Sequence, residues 1–393
     1  QYLADDAGVR YRQIRDDGDT DTVRVCYHPL APTEYYENVE DGTHKVRLAY
    51  CTEGTWKSVV VDRTTIATRQ NITALAQYGI DVTSETARYV VQYLADIEAQ
   101  NPHPRIPRRR SIGRMGWIGN DFAPYLADVK YDGQDGYRSL YDSIAPAGDY
   151  EAWMACIREA RKRDGHFRIQ LAASFAAPVL GRLKALPFFC HLWGGAGAGK
   201  TVCLMACASV WGDPDAGRYM RTLNGTGAGT EAMAAFLCNL PLCLNELQSS
   251  RDRRDMDAVI YMLCEGQGKA RSMRGGGLRD AGRWCTTILT NGEQPITTEV
   301  SGAGAILRTI NLECDGAMFA NPRALADALR MNYGHAGRDF VGRLRGISTD
   351  DLRARYAACA DEIRAAGGTE DKQVYSAAYL LLADRLATEW IFQ

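Results

Sequence analysis

The sequence contains no C-x-x-C pair, although it has twelve cysteines. Its six histidines are too dispersed along the chain to supply the remaining ligands of a zinc site. Several cysteines of the central region lie in apolar stretches, which is typical of reduced thiols in the core of a cytoplasmic protein. We therefore predict no disulfide framework, no structural metal and a cytoplasmic location.

Charge of one sign and long apolar runs are also scarce. The formal net charge is -2, so any surface that binds nucleic acid must be local. The best uncharged run, residues 169–181, is too short to cross a bilayer and contains Pro178. The chain begins at Gln1 with charged residues and no apolar signal segment, so we expect a fragment of a longer protein with no membrane partner.

One stretch in the middle of the chain combines an apolar run of strand length (188–193), a glycine-rich segment and an apolar segment (202–211). The glycine-rich segment has the G-x-x-x-x-G-K-[ST] spacing of a phosphate-binding loop, in which free backbone N–H groups surround phosphates. Lys200 would bind the β and γ oxygens while Thr201 ligates magnesium. We therefore predict ATP and Mg²⁺ as cofactors; the alternative is a glycine-rich turn that binds nothing. The glycine loop, residues 194–201, consists of Gly194, Gly195, Ala196, Gly197, Ala198, Gly199, Lys200 and Thr201.

A second apolar run, residues 240–244, ends in Asn245-Glu246. An apolar strand that ends in an acidic pair is typical of a Walker B element, although asparagine here replaces the usual aspartate. Asn245 can hydrogen-bond a magnesium-bound water but adds no negative charge, so we expect weaker metal binding. Glu246 is the candidate base that orients the attacking water, and the alternative is a strand end with one solvated glutamate.

Two further strand-like segments carry polar residues. Residues 286–289 lead into Thr290-Asn291, and Asn291 could sense the γ-phosphate or position water. Residues 306–312 read as a strand that carries one cation, Arg308, which is costly on an apolar strand unless it is paired. Arg308 is therefore a candidate finger for charge at the transferred phosphoryl group, and the alternative is an intramolecular salt bridge.

Basic residues concentrate between residues 266 and 283, where Lys269, Arg271 and Arg274 alternate with glycines. This composition predicts a hairpin that contacts a nucleic-acid backbone, because glycine permits close approach and the cations neutralise phosphates. The alternative is a solvated loop. Two helical segments follow near the C-terminus, and Arg338 and Arg343 precede them.

This order of parts resembles AAA+ ATPases. More specifically, residues 20–345 resemble a domain-of-unknown-function family of phages, plasmids and mobile elements, whose better-understood members look like MCM-type replicative helicases. The matching segments are His191-Leu192-Trp193-Gly194, Gly199-Lys200-Thr201, Ala208-Ser209-Val210-Trp211-Gly212, Asn239-Leu240-Pro241-Leu242 with Glu246, Gly266-Gln267-Gly268-Lys269-Ala270-Arg271, Trp284, Asn291-Gly292-Glu293, Arg308 and Ala336-Gly337-Arg338.

The resemblance implies an α/β AAA+ P-loop core, a parallel sheet sandwiched by helices, in residues 151–345. A mixed, β-rich N-terminal domain (1–150) precedes this core, and a helical lid (346–393) follows it. The resemblance also implies a homo-oligomeric ring, taken as a hexamer, in which Arg308 reaches the nucleotide of a neighbouring subunit. The basic hairpin would grip single-stranded DNA in the channel, and Arg338 would be the second sensor.

Three functions remain open at this point. The first is an ATP-dependent DNA helicase or translocase for replication of a phage or mobile element, with a primase or another replication protein as candidate partner. The second is an AAA+ scaffold or loader that binds a protein and uses nucleotide as a switch, which Asn245 would suit. The third, a P-loop phosphotransferase for a small molecule, is disfavoured by the pairing of Glu246 with Arg308.

Overall fold

A computed structural model of the chain describes residues 1–16, 18–100, 105–133, 135–222, 226–245, 253–269, 271–272, 278–279, 281–368 and 371–393. The chain divides into two compact units: residues 1–113 with 127–133, and residues 114–126 with 134–393. Residues 134–150 thus cluster with the second unit. The division into three functional domains at residues 150 and 345 stays a prediction.

The secondary-structure elements follow in chain order. The strands are β1 Tyr2–Asp5, β2 Gly8–Ile14, β3 Thr20–Cys26, β4 Leu30–Asn38, β5 His44–Thr52, β6 Thr55–Asp62, β7 Arg108–Ile112, β8 Gly116–Ile118, β9 Asp121–Ala123, β10 Val129–Tyr131, β11 Phe188–Gly194, β12 Arg221–Thr222, β13 Leu242–Asn245, β14 Arg271–Ser272, β15 Leu278–Arg279, β16 Thr287–Gly292 and β17 Thr309–Cys314. The α-helices are α1 Arg63–Ala67, α2 Arg69–Ile72, α3 Ala87–Ala99, α4 Arg138–Ser143, α5 Tyr150–Arg163, α6 Gly165–Leu183, α7 Lys200–Ser209, α8 Gly227–Leu237, α9 Arg253–Cys264, α10 Ala303–Ile306, α11 Pro322–Met331, α12 Ala336–Leu344, α13 Thr349–Ala365 and α14 Asp371–Ala387. Short 3₁₀ segments are Thr73–Tyr78 and Asp135–Tyr137, and a π-helical turn is Thr388–Phe392.

The first unit contains an antiparallel sheet, β1-β2-β3, and a mixed sheet of order β10-β7-β4-β5-β6. In the mixed sheet β4, β5 and β6 form an antiparallel meander, and β7 pairs in parallel with β4 and β10. Alternate residues such as Val46 and Leu48 are buried because successive side chains of a strand point to opposite faces. The predicted β-rich character of the N-terminal region is thus partly confirmed, with helix α3 packed beside the strands.

The second unit is built on a parallel sheet of order β12-β13-β16-β11-β17. Every residue of β16 is buried, and β11 is buried except at Trp193. This burial fits two central strands of a parallel sheet whose faces are covered by helices. Helices α6, α7 and α9 pack against these central strands. The predicted α/β fold with a parallel sheet and helices is therefore confirmed.

The C-terminal helices pack on the rest of the second unit through α6, which contacts both α13 and α14. Asp384 of α14 accepts hydrogen bonds from Arg161 at 2.6 Å and from Arg168 at 2.5 Å. Burial alone raises the pKa of the Asp384 carboxyl, but the hydrogen bonds and charges of the two arginines lower it below its usual value. This ion cluster ties α14 to α5 and α6. Within the described residues, no helix is long and apolar enough to span a membrane.

Candidate functional site

The glycine loop connects the carboxyl end of β11 to the first residue of α7, and its glycines adopt conformations that other residues rarely adopt. Gly194, Gly197 and Gly199 have φ values of 148°, 83° and 92°. A Cβ atom on Gly194 would lie 2.4 Å from the carbonyl oxygen of Cys314, and one on Gly199 would lie 2.8 Å from the ring of Phe319. The motif therefore needs glycine here for both backbone conformation and space.

Lys200 and Thr201 open helix α7, where the backbone N–H groups of the first turn have no partner within the helix. The Nζ atom of Lys200 donates hydrogen bonds to the carbonyl oxygens of Gly194 at 2.8 Å and Gly195 at 2.6 Å. The ammonium group is thus held against the glycine loop, and the Thr201 side chain is exposed beside it. A cation, free N–H groups and a helix N-terminus at one point make an anion-binding arrangement.

A segment that the sequence did not indicate packs against this loop. The backbone N–H of Met318 donates to the carbonyl oxygen of Ala198 at 3.1 Å, and the Met318 carbonyl accepts from Arg163 Nε at 3.2 Å. Phe319 contacts Gly199 and meets the ring of Phe167 edge-on, with centroids 5.3 Å apart. The only sequence signal is a pair of large apolar residues, Met318 and Phe319, in a segment (315–321) whose other residues are small or polar.

Asn245 and Asn291, which lie 46 residues apart in the chain, meet at the same sheet edge as the glycine loop. The Nδ2 atom of Asn291 donates to Oδ1 of Asn245 at 3.0 Å, and Asn291 is buried. The parallel pairing of β13 with β16 produces this contact, because carboxyl ends of parallel strands share one edge. Glu246, the candidate base, lies outside the described residues.

His191, at the centre of β11, joins the strand of the glycine loop to the strand of Asn291. Its Nε2–H donates to the carbonyl oxygen of Gln294 at 2.9 Å, and its Nδ1 accepts from the Thr290 hydroxyl at 2.8 Å. The side chain is 0% exposed, and burial lowers its pKa to about 4. The histidine is therefore neutral, and it contacts the Thr290 side chain before Asn291 and the Gln294 backbone after it. The sequence did not indicate this role, since one buried histidine leaves no pattern.

The structure corrects the predicted strand environment of Arg308. Strand β17 begins at Thr309, and Arg308 lies in the turn after α10, because residues 303–306 form a helical turn. Its carbonyl oxygen accepts from the N–H of Phe189, so it lies where β11 begins, at the opposite edge from the glycine loop. Its Nη1 donates to the Gly304 carbonyl at 2.9 Å, and the guanidinium lies 5.3 Å from the ring centroid of Tyr261.

Arg338, the predicted second sensor, is not brought to the glycine loop within one chain. The N–H of its neighbour Gly337 donates to the carbonyl of Val210 at 2.9 Å, just beyond the C-terminal end of α7. Lys200 lies at the other end of this helix, about 15 Å away at about 1.5 Å rise per residue. Arg338 instead lines an open cavity with Tyr150, His335 and Arg343.

The basic segment is described only in part. Its strands β14 and β15 pair antiparallel, with Arg271 opposite Arg279, as the hairpin prediction requires. The backbone N–H of Lys269 donates to Oε1 of Glu231 at 3.2 Å. The Lys269 side chain is exposed. Arg274 lies outside the described residues, and the hairpin's contact with DNA stays a prediction.

The parallel sheet and the glycine loop define an α/β protein whose glycine loop lies at the carboxyl edge of the strands. A family model described as "Domain of unknown function (DUF927)" matches residues 2–283, so the chain belongs to this family. No curated protein matches the chain. Among the described residues, no group of three or more His, Cys, Asp or Glu residues is arranged to hold a metal ion.

One solved structure supports the fold. SCCmec type IV Cch, described as an active helicase, is similar with a TM-score of 0.68 and 17% sequence identity, over 99% of this chain and 74% of that one. The apo C-terminal region of NrS-1 has a TM-score of 0.30 and 10% identity, over 91% of this chain and 87% of that one. The second similarity is too low to support an argument. The first shows that the two chains share a fold.

Proposed function

We propose that this protein is an ATP-dependent motor that moves along single-stranded DNA during replication of a phage or mobile genetic element. The observation that carries the proposal is the meeting of four groups at one sheet edge: Lys200, the first turn of α7, Asn245 and Asn291. The similarity to the fold of an active helicase supports it. We also propose that the second unit contains an AAA+ core similar to that of MCM-type helicases, as inferred from the sequence motifs.

The residues at the glycine loop fit a magnesium nucleotide. A Cβ atom on Gly195 or Gly197 would meet no other atom within 4 Å, so the backbone of the glycine loop is open to phosphate oxygens there. Thr201 and Asn245 offer a hydroxyl and an amide oxygen, and Mg²⁺ prefers oxygen ligands while keeping several waters and phosphate oxygens. When bound, Mg²⁺ would neutralise charge on the phosphates. Lys200 would exchange its bonds to the Gly194 and Gly195 carbonyls for phosphate oxygens.

The role of each remaining residue follows from this assignment. Glu246 is the proposed base that takes a proton from water, and Asn291 would orient that water from its buried position on β16. Lys269, Arg271 and Arg274 are the proposed hairpin contacts to DNA. A helicase with these parts separates strands by coupling ATP hydrolysis to movement of the hairpin along one of them.

Arg308 is proposed to act on the nucleotide of a neighbouring copy in a ring, which we take as a hexamer. In its own chain it lies level with the start of β11, at the opposite sheet edge from the glycine loop. A second copy that places this edge against the loop would supply a cation to the transferred phosphoryl group. Arg338 is likewise assigned to a neighbouring copy, because it lies at the far end of α7.

ATP turnover with and without single-stranded DNA tests the proposal. Lys200→Ala is expected to lower kcat about 100-fold or more, the usual cost of removing one preorganised donor. Lys372→Ala is the control, because Lys372 also lies in the first turn of a helix and its side chain is exposed. Near-normal turnover in Lys200→Ala would contradict the proposed phosphate contact.

Mixed rings test the role of Arg308. Mixing Lys200→Ala with Arg308→Ala subunits should restore some interfaces in which both residues are intact. Lack of recovery at any ratio would argue against action between subunits. Native mass spectrometry of the same mixtures measures the ring size.

A second function is favoured by one observation. Asn245 carries no charge and its Oδ1 is already engaged by Asn291, so metal binding at this position would be weak. This would suit a scaffold or loader that uses nucleotide as a switch and binds a protein partner. ATP-dependent oligomerisation without unwinding of duplex DNA would favour this function over the motor.

A further inference from the structure

Two cavities on the second unit adjoin each other and share Arg343. One has a volume of about 410 Å³ and contains Tyr150, His335 and Arg338 in its wall. The other has a volume of about 500 Å³ and is lined by Arg355 and Trp390, among others. Each is large enough for a small ligand or one segment of a polymer. We call this surface the arginine groove and define it by Tyr150, His335, Arg338, Arg343, Arg355 and Trp390.

Aromatic rings lie at both ends of the arginine groove. Tyr150 stacks on His335 with ring centroids 5.6 Å apart and an interplanar angle of 23°. His335 Nε2–H donates to the Ala147 carbonyl at 3.1 Å, and the Tyr150 hydroxyl donates to Asp339 Oδ2 at 3.4 Å. Burial and the neighbouring Asp339 charge raise the pKa of Tyr150, so its hydroxyl stays protonated. At the other end, the partly buried Trp390 packs on Phe340 at 5.2 Å.

The arginines between these rings are exposed. Arg343 Nε lies 3.1 Å from Asp339 and Arg355 Nη1 lies 3.2 Å from Glu389, and both arginine side chains are 46% exposed. Exposed pairs of this kind are weak, so phosphate oxygens can displace the carboxylates. Within the described ranges of the chain, Arg338 donates to no protein acceptor. Three arginines against two carboxylates leave the groove positive.

The backbone adds to this positive potential and leaves space for a ligand. Helix α12 begins at Ala336 without a side-chain cap, beside the His335 end of the groove, so its partial positive charge lies at the cavity. A Cβ atom on Gly342, which also lines this cavity, would meet no other atom within 4 Å. The wall between the two ends is therefore open.

We propose that the arginine groove binds single-stranded nucleic acid, with Arg338, Arg343 and Arg355 on phosphates and the aromatic side chains against bases. A surface with aromatic rings at both ends and cations between them suits a single strand, whose bases are free to stack. An acidic peptide would use the arginines and leave the rings unused. The groove is separate from the basic hairpin and from the glycine loop of the same chain. Arg338, which is also the proposed second sensor for a neighbouring copy, is available to DNA when no nucleotide is bound, so this binding requires no nucleotide.

Fluorescence anisotropy with labelled oligo-dT and no nucleotide tests the proposal. The background is the hairpin variant Lys269→Ala/Arg271→Ala, so that the remaining affinity belongs to the groove. In that background, Arg338→Ala/Arg343→Ala should bind at least tenfold more weakly. The slope of log K against log salt should fall by about 1.4, at about 0.7 for each lost phosphate contact on a single strand.

Matched controls separate the groove from general charge. Arg353→Ala/Arg364→Ala removes two exposed arginines of α13 that pair three residues away with Asp350 and Asp361, and it should leave affinity unchanged. Arg338→Lys/Arg343→Lys should restore part of the affinity and the salt slope. An abasic strand of equal length should bind more weakly than oligo-dT. Thermal melting checks that each variant is folded.

Several outcomes would overturn the inference. The first is the loss of all DNA binding in the hairpin variant alone. The second is an equal affinity for oligo-dT before and after the groove substitutions. The third is equal binding of abasic and base-bearing strands, because that result would indicate a general polyanion site. Groove binding that survives in Lys200→Ala while ATP turnover is lost would support the groove independently of the motor. Failure of the motor and failure of the groove are therefore distinguishable.

Discussion

Acid is expected to destabilise the second unit through His191. This side chain is 0% exposed, and its ring nitrogens are engaged by Thr290 and the Gln294 carbonyl. In the neutral state the Thr290 hydroxyl donates a hydrogen bond to Nδ1. A proton on Nδ1 would face this hydroxyl hydrogen and would place an uncompensated charge in the core. Burial therefore lowers its pKa from 6.5 to about 4.

The sign and size of the effect follow from proton linkage. In the unfolded chain the imidazole binds a proton near pH 6.5, whereas the folded protein stays unprotonated at this site until about pH 4. The unfolded state thus binds more protons in this window, and the free energy of unfolding falls as pH falls through it. The difference between 6.5 and about 4 corresponds to about 3 kcal/mol at about 1.4 kcal/mol for each pH unit.

Urea unfolding at pH 7.5 to 4.5 measures this contribution, with the buried tryptophans Trp153, Trp211 and Trp284 of the second unit as fluorescent probes. His191→Gln keeps an N–H donor and an oxygen acceptor but cannot take up the proton, so its stability should fall less steeply with acid. His166→Gln is the control, since His166 is 43% exposed beside Asp164. Equal pH slopes for the wild-type protein and His191→Gln would refute the reasoning.

Three further substitutions test the packing and the metal assignment. Gly199→Ala should lower the free energy of unfolding by about 1–3 kcal/mol, because the residue has φ 92° and its Cβ would lie 2.8 Å from an aromatic ring. Asp384→Asn should cost about 3 kcal/mol, because it leaves Arg161, whose side chain is 9% exposed, without its carboxylate, together with the half-exposed Arg168. Asn245→Asp should lower the Mg²⁺ concentration needed for half-maximal ATP turnover, because a carboxylate binds Mg²⁺ more strongly than an amide.

Each substitution has a control or a contrary outcome. Gly342→Ala, in a helix with open space around it, should be neutral or stabilising, and an equal loss in both glycine variants would exclude a steric cause. Asp361→Asn removes an exposed pair and should change stability by less than about 1 kcal/mol. An unchanged Mg²⁺ requirement in Asn245→Asp would remove position 245 from the metal site.

Local features of the site were readable from residue order. The glycine loop could be predicted because a strand, a glycine-rich turn and a helix follow one another within 22 residues, from Phe188 to Ser209. Asn245 and Asn291 could be predicted to meet because each ends an apolar strand, and parallel strands bring such ends to one edge. The predicted start of strand β17, at residue 306, was three residues too early. Residues 303–306 form a helical turn, and the strand begins at Thr309.

The sequence by itself determined the α/β class, the glycine loop and the polar strand ends beside it. Only the tertiary structure decided which distant segments meet. It placed Met318 and Phe319 against the glycine loop, His191 between two strands, and Arg308 at the opposite sheet edge. It also joined Tyr150 to His335 in the arginine groove. Local motifs specify backbone conformation over a few residues, whereas these contacts depend on packing between segments far apart in the chain.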